Sequence, residues 1–347
     1  MNGSRTFIVL VLQFVIAHFA LAQTNGNADL FQDKEPISLK VKYSTKILKR
    51  DTNDSTYMST VLYMENKLGQ WDSLPVELRT RGNYRREYCY YTPLKLKMNE
   101  KYTNGNVFYG HKKLKWVLPC LMGENSDDFV IKEYLAYRLY ETISNYHFRV
   151  KLTELEFQEL KGRRTKIHHL MAFFIEDIDK ASERYKGHEV VRDINPINQD
   201  AYQAIKLALF QFMIGNTDFS IKRRHNVKLI YTEDKIISLP YDFDMAGLVD
   251  THYAIVSNIQ NIPARITDVK ERAYKGYPRD PELMNQLRQE FLENKTEILN
   301  VVSETRKYFQ DPVQFRAALQ YIESFFKIVE NDKRYHRFIT NKIRGND

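Results

Sequence analysis

The segment from Phe210 to Gly247 carries oxygen ligands at spacings that could do chemistry. Asp218 follows an apolar helical pattern, Asn226 closes the same polar loop, and Asp242 stands directly after an apolar strand pattern. A β-hairpin here would bring these three side chains together at one end of a small sheet. A carboxylate there can orient an attacking hydroxyl, while carboxylate and amide oxygens hold Mg²⁺ against nucleotide phosphates.

Asp242 and Asp244 form a second feature of this segment, in the sequence P-Y-D-F-D. Two carboxylates two residues apart repel each other unless a cation or hydrogen-bond donors lie between them. Asp244 is expected either to share the ion or to pair with a base from the first half of the chain. The alternative is structural, because Asp and Asn are common turn residues and G-N-T-D alone is an ordinary loop. The ordered occurrence of the motifs within forty residues favours the chemical interpretation.

The composition allows a large packed protein. The chain has 347 residues, is 43% apolar and carries a formal net charge of +8. This length fits one large domain or two lobes. A net positive charge favours binding to phosphorylated ligands, acidic proteins or polyanionic surfaces, and it does not distinguish among them. The Lys/Arg clusters are short, so no nucleic-acid partner is predicted.

The first residues have the features of a secretory signal peptide. Arg5 precedes an apolar run from Phe7 to Phe19, and Ala20-Leu-Ala22 is a small-residue cleavage pattern. Cleavage is predicted after Ala22. The run is short for a membrane span, and no later stretch resembles a transmembrane helix. The sequence therefore predicts a secreted or periplasmic protein without a transmembrane segment.

Cys89 and Cys120 are the two cysteines of the chain. In an oxidising compartment they can form one disulfide, and the alternative is two free buried thiols. A zinc site is not expected, because no paired His spacing accompanies them.

Patterning along the chain predicts an α+β, two-lobed layout. After a flexible leader at 23–35, residues 36–172 alternate in the manner of strands, with one amphipathic helix at Phe129–Ile143. A bridge at 173–180 leads to a helical part at 181–347 that contains the hairpin. Two of its helices are predicted at Pro281–Glu304 and Pro312–Asn331, each with Pro in the first turn.

Several segments resemble the spore-coat protein H (CotH) kinase family and, more distantly, the HipA-type and phosphatidylinositol-kinase-like branch of the protein-kinase fold. They lie in the family's order over roughly half of the chain. The segments are Arg79–Asn83 (RTRGN), Thr92–Lys97 (TPLKLK), Phe129–Ile143, Met171–Asp179 (MAFFIEDID) and Pro240–Asp244 (PYDFD).

The resemblance implies a two-lobed, atypical protein-kinase-like fold with a β-rich first lobe and a helical second lobe. It also implies transfer of phosphate from ATP, with Mg²⁺ or Mn²⁺, to a Ser or Thr hydroxyl of a protein that could be acidic. Asp218 would be the catalytic carboxylate. The metal ligands would be Asn226, Asp242 and Asp244.

The resemblance also implies a set of nucleotide-binding residues. Lys95 or Lys97 would reach the phosphates, and the sequence does not choose between them because alternate residues of a strand share a face. Arg81 would neutralise phosphate charge, and Glu133 would fix the lysine, with Glu141 as its competitor. Glu176 would close the bridge beside the adenine. Arg223 and its neighbours in the loop could hold phosphate or an acidic substrate.

The chain also departs from the family pattern. Tyr84 replaces the family Ser, no G-x-G occurs in the first half, and Asn226 stands eight positions after Asp218. The departures support an alternative hypothesis, a catalytically inactive pseudokinase-like binding or scaffold protein of the cell envelope. A third hypothesis is transfer of another part of the nucleotide, such as AMP.

Overall fold

A computed structural model describes residues 29–82, 84–123, 125–257 and 266–343. The predicted signal peptide and residues 23–28 of the predicted leader lie outside these ranges, as does Asn83 of the RTRGN motif. Within these ranges, no helix is long and apolar enough to cross a membrane.

The strands lie mainly in the first half of the described chain. They are β1 (Ile37–Tyr43), β2 (Met58–Glu65), β3 (Trp71–Thr80), β4 (Leu94–Met98), β5 (Lys113–Val117), β6 (Val150–Lys161), β7 (Arg164–Glu176), β8 (His188–Glu189), β9 (Val227–Thr232) and β10 (Lys235–Pro240).

The helices dominate the second half. They are α1 (Thr45–Asp51), α2 (Tyr84–Tyr88), α3 (Glu100–Thr103), α4 (Ser126–Ile143), α5 (Ile178–Arg184), α6 (Ala201–Ile214), α7 (Pro281–Glu293), α8 (Lys295–Glu304), α9 (Pro312–Val329) and α10 (Asp332–Phe338). Short 3₁₀ turns lie at Pro196–Asn198, Thr305–Tyr308 and Thr340–Lys342.

The first seven strands form a closed barrel in the order β1-β2-β3-β4-β5-β7-β6. Closure comes from β1, which pairs antiparallel with β2 on one side and parallel with β6 on the other. The parallel register runs from Ile37 opposite Thr153 to Tyr43 opposite Glu159. Alternate apolar residues fill the interior, where Trp116 is fully buried.

The predicted two-lobed, protein-kinase-like fold is wrong. That prediction needs an open β-rich lobe beside a separate helical lobe, whereas the sheet closes on itself through the β1–β6 pairing. The helices pack directly against the barrel, since one continuous apolar core joins Leu152 of β6 and Phe173 of β7 to Phe210 of α6 and Phe325 of α9. Phe173 to Glu176, part of the predicted bridge, are the end of β7.

A second, three-stranded sheet in the order β10-β9-β8 positions the oxygen ligands. β9 and β10 pair antiparallel from Val227 opposite Pro240 to Thr232 opposite Lys235. Glu233 and Asp234 make the two-residue turn, both with positive φ, as tight hairpin turns require. The predicted hairpin is therefore present.

The C-terminal helices follow their end signals. Asp280 caps α7 and Asp311 caps α9, in each case one residue before a Pro. The single helix predicted from Pro281 to Glu304 is instead two, separated by Asn294, which is the C-cap of α7 and the N-cap of α8.

Candidate active site

Asp218 lies in the loop that follows the buried helix α6. The helix ends at Gly215, whose φ of 65° belongs to the left-handed conformation that favours glycine at helix ends. Asn216 then accepts a hydrogen bond from the Asp218 backbone N–H at 2.8 Å. The turn after the helix thus fixes the backbone of Asp218.

Asn226, His225 and Ser257 hold the Asp218 carboxylate. The Asn226 side-chain amide donates to Asp218 Oδ2 at 3.0 Å and to the Asp218 backbone carbonyl at 2.7 Å. His225 Nε2 lies 3.1 Å from Asp218 Oδ1. Burial acts to raise the pKa of Asp218, but hydrogen bonds from His225 and Ser257 outweigh it and leave that pKa below its ordinary value. The bond to Asp218 raises the pKa of His225.

Asp242 stands at the same end of the hairpin. The Tyr241 backbone N–H donates to the Asn226 carbonyl at 3.1 Å, which ties the start of β9 to the end of β10. Asp242 has a φ of 63°, and its backbone N–H donates to the Tyr137 hydroxyl at 2.9 Å. Such left-handed conformations in non-glycine residues are held by their surroundings and are concentrated at functional sites. Among the described residues, no hydrogen bond or ion pair engages the half-buried Asp242 carboxylate.

Asp244 pairs with a base from the first half of the chain, one of the two roles expected for it. Its Oδ2 accepts from the Tyr253 hydroxyl at 3.0 Å and lies 3.8 Å from Arg85 Nη1. The same Arg85 nitrogen lies 3.4 Å from Glu133 Oε2 on α4. Burial, reinforced by the charge of Asp242, raises the pKa of Asp244 to about 6. Burial also raises the pKa of Glu133 to about 8, against the attraction of Arg85.

A disulfide holds Arg85 in this position. Cys89 at the end of α2 is bonded to Cys120, which follows β5. Arg85 is in α2 and donates through Nη2 to the Leu118 carbonyl at 2.8 Å. The structure thereby decides between the two alternatives for the cysteines.

Lys95 and Lys97 both point away from the barrel interior, and they have different neighbours. Lys95 Nζ lies 3.2 Å from Asp177, in a partly buried pair beside the site. Lys97 Nζ lies 2.7 Å from Glu77, and both side chains are more than two-fifths exposed. Of the two, Lys95 is the one that the structure places near the other candidate residues.

Lys115 on β5 was missed by the sequence interpretation. It is the register partner of Lys95, and its Nζ lies 4.3 Å from the centre of the Tyr241 ring, next to Asp242 in the chain. Burial, followed by the charge of Arg81, lowers the pKa of Lys115 to about 7, against the opposing attraction of Asp242. The same K-L-K alternation that marked Lys95 and Lys97 occurs at 113–115 and was the available signal.

Of the remaining residues predicted to bind the nucleotide or to fix the lysine, Arg81 influences the site electrostatically, whereas Glu176 and Glu141 are engaged in ion pairs. Arg81 is half-buried, and its positive charge acts to lower the pKa values of Lys115, Glu133 and Tyr137. Glu176 is fully buried, and Arg149 and Arg184 engage its carboxylate at 2.9 and 2.7 Å. Glu176 therefore acts as a structural anchor between β7 and α5. Glu141 pairs with Lys34 and Arg138, away from the site.

The described side chains form no group of three or more His, Cys, Asp or Glu residues arranged to hold a metal ion. Mg²⁺ bound with a nucleotide does not require such a group, because it takes one or two protein oxygens and completes its shell with phosphate oxygens and water. The Asp242 carboxylate, which has no partner among the described residues, and the amide oxygen of Asn226 fit this limited role. The Asp244 carboxylate is not assigned to the metal, because Tyr253 and Arg85 already engage it.

No model of a known protein family matches this chain, and no curated protein matches it. The likeness to CotH kinases thus remains an interpretation of short motifs, and the functional assignment depends on the geometry of the site.

Proposed function

We propose that this protein is an ATP-dependent phosphotransferase that moves the γ-phosphoryl group to a Ser or Thr hydroxyl of a protein. The observation that carries the proposal is the hydrogen-bonded Asp218–Asn226 pair at the hairpin end that also bears the unengaged Asp242 carboxylate. Site geometry can support this chemistry on more than one fold, so the closed barrel does not argue against it.

Asp218 is the residue that we assign to the acceptor hydroxyl. Its lowered pKa keeps it ionised at neutral pH, so it accepts the hydroxyl hydrogen and orients the oxygen. In the transfer, the hydroxyl oxygen forms a bond to the γ-phosphorus as the bond to the ADP oxygen breaks. The hydroxyl proton passes to Asp218 and then to solvent.

Lys115 and Arg81 are the cations that we assign to the phosphates, in place of Lys95 or Lys97. A lysine whose pKa is about 7 is only partly charged in the free protein. Phosphate oxygens would favour its protonated form, so nucleotide binding should be accompanied by proton uptake at neutral pH. Bound Mg²⁺, or Mn²⁺, would neutralise phosphate charge, and Asp242 and Asn226 are the residues that would hold it.

A binding protein without turnover is the second candidate. One observation favours it: the Asp244 carboxylate is engaged by Arg85 and Tyr253, so only Asp242 of the P-Y-D-F-D segment has a carboxylate without a partner in the described part of the chain. This alternative predicts nucleotide binding in the same place but no phosphate transfer.

Thermal unfolding with and without nucleotide tests the binding step that both candidates share. ATP with Mg²⁺ at 100 times its Kd should stabilise the mature protein by about 2.7 kcal/mol. Asp242→Asn and Lys115→Met should each reduce this gain, whereas Lys97→Met should retain it. The proposal fails if wild-type protein shows no nucleotide-dependent shift, or if Lys97→Met loses the shift and Lys115→Met keeps it.

A further inference from the structure

A buried lysine, Lys275, contacts the backbone on both sides of Asp218. Its Nζ donates to the Thr217 carbonyl at 2.7 Å and to the Phe219 carbonyl at 2.6 Å. Lys275 is 2% exposed, and Thr217 and Phe219 are buried as well. An ammonium group carries three hydrogens, so one lysine can hold both carbonyls at once. The residues before and after Asp218 are thus tied to the same buried charge.

Lys275 and Asn226 together engage three consecutive carbonyls. Asn226 donates to the carbonyl of Asp218, and Lys275 donates to the carbonyls of its two neighbours. Lys275 Nζ also lies 4.6 Å from the centre of the Phe219 ring, a distance at which a cation and an aromatic face attract each other. Burial of an ammonium group is costly unless hydrogen-bond acceptors receive it. The contacts with the Asp218 loop help to offset that cost.

The segment that carries Lys275 is itself fixed to the end of α6. Arg272 Nη2 donates to the carbonyl of Met213, in the last turn of α6, at 3.1 Å and to the carbonyl of Tyr321 on α9 at 2.6 Å. Tyr274 is 5% exposed and belongs to the main apolar core. One anchored segment therefore holds both the helix that leads into the loop and the loop itself.

We propose that Lys275 is a positioning residue for Asp218 in phosphate transfer. The inference rests on the phosphotransferase function proposed above. By holding the backbone on both sides of Asp218, Lys275 limits the movement of the carboxylate that orients the acceptor hydroxyl. A displacement of about 1 Å can reduce a rate by about 100-fold. Lys275 acts through the backbone of Asp218 and not on the reacting atoms.

Hydrogen exchange of the loop in Lys275→Met tests the structural part of this role on the full chain. Methionine keeps much of the side-chain volume and removes the donors. The backbone N–H groups of Asp218 and Ser220 donate hydrogen bonds within the loop. Their exchange, read by mass spectrometry of peptides that cover 216–226, should become at least about tenfold faster in Lys275→Met.

Steady-state kinetics of transfer separate positioning from general stability. Lys115 lies on β5 and Asp242 follows β10, so other elements hold the residues that are assigned to the nucleotide. Lys275→Met should therefore lower kcat at least about tenfold and leave the KM for ATP within about twofold. Lys151→Met is the matched control, because Lys151 is equally buried but lies on β6 and donates to the Asp33 carbonyl. It should change neither kcat nor exchange in the loop.

Unchanged loop exchange in folded Lys275→Met would overturn the proposal, as would a wild-type kcat despite faster exchange. If Lys275→Met fails to fold, Lys275→Gln replaces it. Its shorter, neutral side chain retains an N–H donor, so the same two changes should appear to a smaller extent. Absence of transfer by the wild-type protein would instead refute the phosphotransferase function, and the exchange measurement would still show whether Lys275 holds the Asp218 loop. The two failures are therefore distinguishable.

Discussion

Asn226 holds Asp218 at two points, the backbone carbonyl at 2.7 Å and a carboxylate oxygen at 3.0 Å. Both residues belong to one loop, and the loop ends where β9 begins, beside Tyr241, which follows β10 and precedes Asp242. Asn226 therefore ties the Asp218 carboxylate to the Asp218 backbone, beside the contacts that His225 and Ser257 make with the same carboxylate.

Substitutions at Asn226 should distinguish the effect of its side-chain hydrogen bonds from the effect of its backbone conformation. Asn226 has a φ of 51°, so Asn226→Gly keeps the backbone and removes only the side chain. We expect it to lower the free energy of unfolding by about 1–3 kcal/mol and to reduce phosphate transfer at least about tenfold. Asn226→Ala should cost about 1 kcal/mol more, because a Cβ disfavours this conformation.

Urea unfolding and initial transfer rates measure these effects. Asp234→Gly is the matched control, since Asp234 has a φ of 57° in the exposed hairpin turn. It should leave the transfer rate unchanged. An Asn226→Gly protein with wild-type transfer would show that Asn226 does not position Asp218.

Lys115 should be the most reactive lysine of the described chain at neutral pH. Its pKa of about 7 leaves a large neutral fraction, whereas an ordinary lysine with a pKa near 10.4 is almost fully charged. Brief labelling with an amine-acylating reagent at pH 7, read by peptide mass spectrometry, should modify Lys115 before Lys95 or Lys97. ATP with Mg²⁺ should slow that labelling. Labelling of Lys97 ahead of Lys115 would contradict the assignment.

The low pKa of Lys115 also gives the stability a pH dependence of known sign. Between about pH 7 and pH 10 the unfolded chain binds more protons at this lysine than the folded chain. Its contribution to the free energy of unfolding therefore rises with pH across this window. Lys115→Met should lack that rise in urea unfolding at pH 7 and pH 9.5. Parallel pH profiles for the two proteins would show that Lys115 titrates normally.

The Cys89–Cys120 disulfide should support both the fold and the position of Arg85. It closes a loop with a sequence separation of 31 residues, and such a bridge stabilises by about 3–4 kcal/mol. Cys89→Ser with Cys120→Ser should lower the urea midpoint by a corresponding amount. Reducing agent should shift the wild-type midpoint in the same direction and leave the double variant unaffected. A reductant effect of equal size in both proteins would assign it to something other than this bridge.

Local patterns in the sequence predicted individual elements well and their assembly poorly. Alternation marked β1 and β4, and the apolar run before Gly215 marked α6. The pairing of β1 with β6 joins residues more than a hundred positions apart, and alternation contains no signal for which strands become neighbours. The closed barrel was missed for that reason.

The same contrast applies to the candidate site: residues placed by local patterns were predicted, and residues placed by the assembly of the barrel were not. The hairpin from Val227 to Pro240 has a two-residue turn and strong strand patterns, so the placement of Asn226 next to Asp242 in space was predictable. Lys115 was not, because Lys95 and Lys97 show the same alternation and only the barrel register sets Lys115 beside Tyr241. Arg85 was overlooked because its ion pairs depend on the short helix α2 and on the disulfide.

Transfer of labelled phosphate from ATP is the most direct test of the central proposal. Protein with γ-labelled ATP, Mg²⁺ or Mn²⁺, and casein as an acidic protein substrate should yield labelled phosphoserine or phosphothreonine. Asp218→Asn should reduce the rate by about 100-fold or more, while Asp72→Asn, on an exposed part of β3, should retain it. No transfer by wild-type protein with either metal, or equal transfer by Asp218→Asn, would contradict the proposal.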